Sequence, residues 1–116
     1  MNYLVLLKPH LSASEYGLIR TSFQDISPFY ILSSLCYFYK SVNYVKVKRV
    51  VLFVSCLILS IKYLTDGKYL LKQFSELTDI PTGTLKDAEV EILKKLKYNL
   101  QATDSDFKKI KFLYNK

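Results

Sequence analysis

The chain has 116 residues, 50% of them hydrophobic and 15% aromatic, with a net charge of +7. That length suits one domain burying roughly two thirds of its unfolded surface, and so apolar a composition excludes a disordered chain. The charge favours acidic partners (nucleic acid, an anionic membrane or an acidic protein surface) or is simply solvated helix surface, since the lysines are spread along the chain.

Residues 1–11 read as an extended or single-turn lead-in. Tyr3-Leu4-Val5-Leu6-Leu7 is too short for a secretory core and lacks a basic start, which points to an intracellular protein. His10, the single histidine, is expected in an exposed loop. A first helix starts at Ser12 or Ser14. Ser12 has Glu15 three residues on, a capping-box spacing, and the helix runs through Tyr16, Leu18 and Ile19 to about Phe23. Gly17 weakens it by up to about 1 kcal/mol relative to alanine. Ser27 and Pro28 then open a second helix, the serine as cap and the proline in the first turn. Ile31, Leu32, Leu35, Phe38, Tyr39 and Val42 recur at helical spacing, and Asn43-Tyr44 ends the run.

The third helix is expected to begin near Lys46. Lys46, Lys48 and Arg49 crowd its first turn, where the helix dipole disfavours cations by about a few tenths of a kcal/mol. They serve solubility or an acidic contact. Val50 to Ile61 carries no charge. At about 100° per residue, Val50, Val54, Leu57, Ile61 and Leu64 line one side, while Leu52, Phe53, Leu59 and Tyr63 fall on others. A helix apolar all round must be buried all round, and this one is too short for a bilayer, which needs about 20 residues. Thr65-Asp66-Gly67 supplies a stop signal.

A short fourth helix is expected over 70–78, interrupted by Asp79-Ile80-Pro81. The fifth starts at Thr82 or Thr84, the latter with Asp87 at capping-box spacing, and runs to about Tyr98. Thr103 with Asp106 caps a final helix over 104–114. The expected architecture is all-α, a single domain over 1–116.

Catalytic motifs are absent. Three glycines cannot make a phosphate loop, and one histidine excludes most triads. Asp104 and Asp106 suit a helix start better than a metal pair. Cys36 and Cys56 sit in apolar runs without metal spacing and read as buried free thiols of a reducing compartment. No metal, cofactor or small-molecule ligand is expected, and the chain is not expected to be an enzyme.

Two residues break the pattern. Leu85, Ala88, Ile92, Leu93, Leu96 and Leu100 form one arc of the fifth helix, and Glu89 falls inside it. Glu91 points away, with Lys94 and Lys95 at favourable spacings. A carboxylate in an apolar setting must be paired or hydrogen-bonded, or it costs several kcal/mol; its partner is an internal cation or another protein. Lys62 ends the long apolar run, where a lysine also complements the helix dipole and snorkels to water.

Leu59 to Tyr69, LSIKYLTDGKY, resembles the ending of the third helix of a cyclin box, "LAxKxxxD". Ala88 to Leu100, AEVEILKKLKYNL, resembles its fifth helix, "MExxxLKxLxFxL". The gap between them, with Phe74 and Ile80 inside, is most similar to the P/U-type, phosphate-pathway cyclins. The likeness covers about residues 12–107. It implies a five-helix bundle around a central third helix, with short terminal segments, that binds and activates a cyclin-dependent protein kinase in the nucleus or cytoplasm. It assigns kinase contacts to Lys62, Tyr63, Glu89, Leu93, Tyr98 and Leu100, around the kinase's αC helix.

The chain departs from the family in places. Glu15-Tyr16-Gly17-Leu18-Ile19-Arg20 stands where cell-cycle cyclins carry an "MRAIL"-type substrate-docking patch, so that docking is not expected. Leu70-Leu71 replaces the usual polar start of the fourth helix. The competing readings are a transcription factor IIB-like nucleic-acid-binding module, opposed by the lack of a concentrated basic stripe, and a cyclin-fold scaffold that does not activate. Neither membrane nor nucleic acid is an expected partner.

Overall fold

The computed structural model describes residues 2–64 and 70–116. A 3-10 helix, Tyr3–His10, precedes α1 (Ala13–Phe23), α2 (Pro28–Ser41), α3 (Arg49–Leu64), α4 (Leu70–Thr78), α5 (Thr82–Lys95) and α6 (Asp104–Tyr114), with no strand among the described residues.

The helix starts follow from local chemistry. At α1 the Glu15 amide donates to Ser12 Oγ (3.2 Å), and the Ser12 amide donates to Glu15 Oε1 (2.9 Å). At α6 the Asp106 amide donates to Thr103 Oγ1 (3.2 Å), and the Thr103 amide donates to Asp106 Oδ2 (2.9 Å). Each box satisfies two amides that the first turn leaves without partners. Ser27 caps α2 ahead of Pro28.

At α5 the expected Thr84–Asp87 box does not form. The helix already starts at Thr82, with Pro81 at the cap position and no side-chain cap. Pro81 fixes its own φ, and its carbonyl accepts the Leu85 amide at 3.1 Å. The other end of α5 also differs from expectation. The helix stops at Lys95 instead of reaching Tyr98, because Lys97 (φ 54°) and Tyr98 (φ 60°) turn left-handed. The Tyr98 amide donates to the Leu93 carbonyl (2.8 Å), and the Lys97 amide to the Lys94 carbonyl (3.1 Å). This is the Schellman closure, made here without glycine.

From Val50 to Ser60 every residue of α3 is buried. The helix packs mainly against α2 and α5, with α4 alongside. Burying each large aliphatic side chain contributes about 1.5–3 kcal/mol. Two serines lie within this rod, and both are satisfied. Ser55 Oγ donates to the Leu85 carbonyl (3.3 Å) and Ser60 Oγ to the Tyr30 carbonyl (3.2 Å), tying α3 to α5 and α2. The start near Lys46 is corrected to Arg49. Residues 42–48 form turns, with the amides of Tyr44 and Val45 both donating to the Ser41 carbonyl (2.9 Å each). The stop signal Thr65-Asp66-Gly67 lies outside the described residues.

The lead-in is more structured than its sequence suggests. Three residues per turn put Leu4 and Leu7 on one side of the 3-10 helix, where both are buried beside Tyr3. Tyr3 packs against Tyr114 of α6, the ring centroids 4.7 Å apart and the rings tilted by 55°. His10 is not a free loop residue. Its Nδ1 accepts from Arg49 Nη1 at 2.8 Å, and its ring stands edge-on to Phe38 and Tyr39. Among the described residues no helix is long and apolar enough to cross a membrane.

Candidate functional site

The packing of α3 on α5 brings the two pattern-breaking residues together. Lys62 Nζ lies 3.2 Å from Glu89 Oε2. The Lys62 side chain is 40% exposed and that of Glu89 9%. Of the two partners the sequence leaves open for Glu89, the structure supplies the internal cation, but for one oxygen only. Glu89 Oε1 is buried and accepts no hydrogen bond. Burial pushes the Glu89 carboxyl above its ordinary range, and the charge and hydrogen bond of Lys62, with Lys86 beyond, only partly offset this. The site therefore holds a carboxylate in surroundings that disfavour its charge, with one acceptor unused.

Tyr63 follows Lys62 at the end of α3 and is 55% exposed. It lines a recess of about 170 Å³ with Phe29, Tyr37, Leu100, Ala102 and Phe107. Leu100 is held there because the Tyr37 hydroxyl donates to its carbonyl. Burial pushes the Tyr37 phenol well up, so it stays a neutral donor. Leu93, one turn beyond Glu89, is half-buried and packs on the core. Tyr98 is 69% exposed, displayed by the left-handed turn after α5 and not among the residues of the recess.

The structure thus joins Lys62 to Glu89 and Tyr63 to Leu100, places Leu93 beside the core on the same helix as Glu89, and leaves Tyr98 separate. Phe29, Tyr37 and Phe107 belong to the recess and escape sequence reasoning. Each reads as one more apolar or aromatic helix position, and only the fold brings the three together. Glu91 is a solvated surface group as expected, 3.7 Å from Lys94.

The arrangement offers a half-exposed ammonium and an apolar recess with exposed aromatic rims, and it holds a buried carboxylate oxygen without a donor. This is the chemistry of docking a helix or peptide with mixed polar and apolar side chains. Cys36 and Cys56 are buried free thiols; burial raises the pKa of Cys36 to about 11 and that of Cys56 further. Among the described residues no cluster of histidine, cysteine and acidic side chains could hold a metal ion. No protein-family model matches the chain, and no curated protein or solved structure does either.

Proposed function

We propose that the chain is a single-cyclin-box regulatory subunit that binds and activates a cyclin-dependent protein kinase inside the cell. The observation that carries this reading is the Lys62–Glu89 pair, whose carboxylate keeps one buried oxygen without a partner. A buried acceptor without a donor is disfavoured, and a donor from a bound partner would satisfy it. The recess at Tyr63 and Leu100 gives a partner's apolar side chains a place to dock, and Tyr63 follows Lys62 directly in α3. A buried third helix flanked by the second and fifth supports the cyclin-box arrangement.

The mechanism is a population shift. The chain binds the kinase with its αC helix turned inward, so that the kinase's own lysine–glutamate pair forms over the ATP phosphates. Activation requires preferential affinity for that state. The chain contributes binding energy and no catalytic group.

The test is co-purification with the kinases of its own cell, followed by a peptide-phosphorylation assay. Lys62→Glu and Glu89→Gln are each expected to weaken kinase binding by about 2 kcal/mol or more, as central interface residues do, with thermal melting recorded alongside to separate folding from docking. Unchanged binding in both variants sinks the reading. Binding without phosphorylation identifies a non-activating scaffold. DNA binding that falls steeply with salt identifies a nucleic-acid module.

A further inference from the structure

α6 presents a second surface, on a face of the helix other than the one that meets the recess. Phe107 lines the recess, and Phe112, five residues later, points about 140° away around the helix. Phe112 is 69% exposed and Leu113 is exposed beside it. Phe112 and Leu113 are adjacent and both border a depression, which makes them part of an apolar patch instead of isolated exposed side chains. Two depressions lie here. One, of about 280 Å³ between α2 and α6, is floored by Cys36, Tyr39 and Ile110 and rimmed by Lys40 and Lys109. The other is a shallow, open strip along α6 itself, bordered by Ser105, Lys108 and Phe112. Lys109 and Leu113 border both.

The charge on this groove is one-sided. Its single acidic side chain, Asp106, is already taken: it pairs with Lys40 at 3.0 Å and accepts from the Thr103 amide. Among the described residues neither Lys108 nor Lys109 has an ion-pair partner. An apolar floor under unpaired ammonium groups is complementary to a chain that carries carboxylates and bulky apolar side chains together.

We propose that the α2–α6 groove is a docking site for an acidic peptide segment bearing such apolar side chains. The concave floor fits inserted side chains, whereas a lipid surface calls for a convex basic face. The site is independent of the kinase reading, since none of Lys62, Tyr63 and Glu89 lines it.

The experiment is selection of a random-peptide display library on the whole chain. Affinities of the enriched peptides, made synthetically, are then measured against wild type, Phe112→Ala and the double variant Lys108→Glu/Lys109→Glu. The expected result is enrichment of peptides that combine aspartate or glutamate with phenylalanine, leucine or tryptophan. Their affinity falls about tenfold or more in either variant, while circular-dichroism melting stays unchanged because the altered side chains are exposed. No enrichment, enrichment without acidic residues, or acidic peptides that bind both variants as tightly as wild type overturns the proposal. Tighter binding to phosphatidylserine vesicles than to the enriched peptides, lost in the same variants, overturns it in favour of a membrane surface.

Discussion

Lys62 reaches Glu89 across the α3–α5 contact and neutralises it through one oxygen, with Oε2 at 3.2 Å from the ammonium and Oε1 left buried without a donor. Net burial raises the Glu89 pKa. A raised folded value means that the group's contribution to stability is present below its unfolded value of 4.5 and is lost as pH rises through the folded value. Glu89→Gln, which keeps the shape and removes the charge, is therefore expected to melt at or above the wild-type temperature at neutral pH, a gain of up to about 1 kcal/mol. A loss of more than about 2 kcal/mol would mean that the carboxylate holds the fold together, as breaking a buried pair does.

Lys62→Ala takes the opposite course, since it leaves the carboxylate buried without its cation. The expected loss at neutral pH is about 1–3 kcal/mol, shrinking as pH falls and Glu89 takes up a proton. Urea denaturation at neutral and acidic pH reads both values. A loss independent of pH would trace the effect to packing of the lysine stem instead.

Lys97 holds a left-handed conformation at φ 54° on an exposed position just past α5. That region costs an ordinary L-residue about 1 kcal/mol and glycine little. Lys97→Gly is expected to raise stability by about 0.5–1 kcal/mol, read as a higher melting temperature. A fall would show that the lysine side chain makes a contact worth more than the backbone strain.

Legibility in the sequence divided along physical lines. The starts of α1, α2 and α6 were readable because Ser12, Ser27 and Thr103 act through bonds to residues two or three positions away. Glu89 stood out because a charge inside an apolar arc contradicts its own periodicity. The start of α5 falls at Thr82, one of the two positions its sequence offers, but the Thr84–Asp87 box does not form, because Pro81 starts the helix with its carbonyl instead of a side chain. Its end is not legible, because Lys97 closes the helix where glycine is the usual signal. The His10–Arg49 contact and the recess of Phe29, Tyr37 and Phe107 join segments far apart in the chain. No local pattern encodes such a meeting.

His10 gives the fold a measurable acid sensitivity. Burial first, and the Arg49 charge second, lower its pKa from 6.5. A depressed folded value means that stability is complete above the unfolded value and is lost as pH falls through it toward the folded one. Protonation also ends the bond in which Nδ1 accepts from Arg49. Stability is thus expected to drop as pH falls below about 6.5, the ordinary histidine value, and His10→Gln is expected to flatten that part of the profile. A wild-type slope retained in the variant would assign the sensitivity to the carboxylates.

Tyr37 couples the core to the recess. Its ring is buried in α2, and its hydroxyl donates to the Leu100 carbonyl beyond the end of α5. Tyr37→Phe keeps the ring and removes the donor, so the cost to stability is expected to be about 1 kcal/mol, that of one hydrogen bond with a part-buried acceptor left unpaired. The effect on docking should be larger. Leu100 forms one wall of the recess and Tyr63 another, and without the phenol the segment carrying Leu100 is free to move away from Tyr63. Under the proposed function, kinase binding is expected to weaken by more than the stability loss accounts for, with faster dissociation as the main change. Equal losses in stability and binding would reduce Tyr37 to a core residue. A stability loss with no change in binding would remove the recess from the interface altogether.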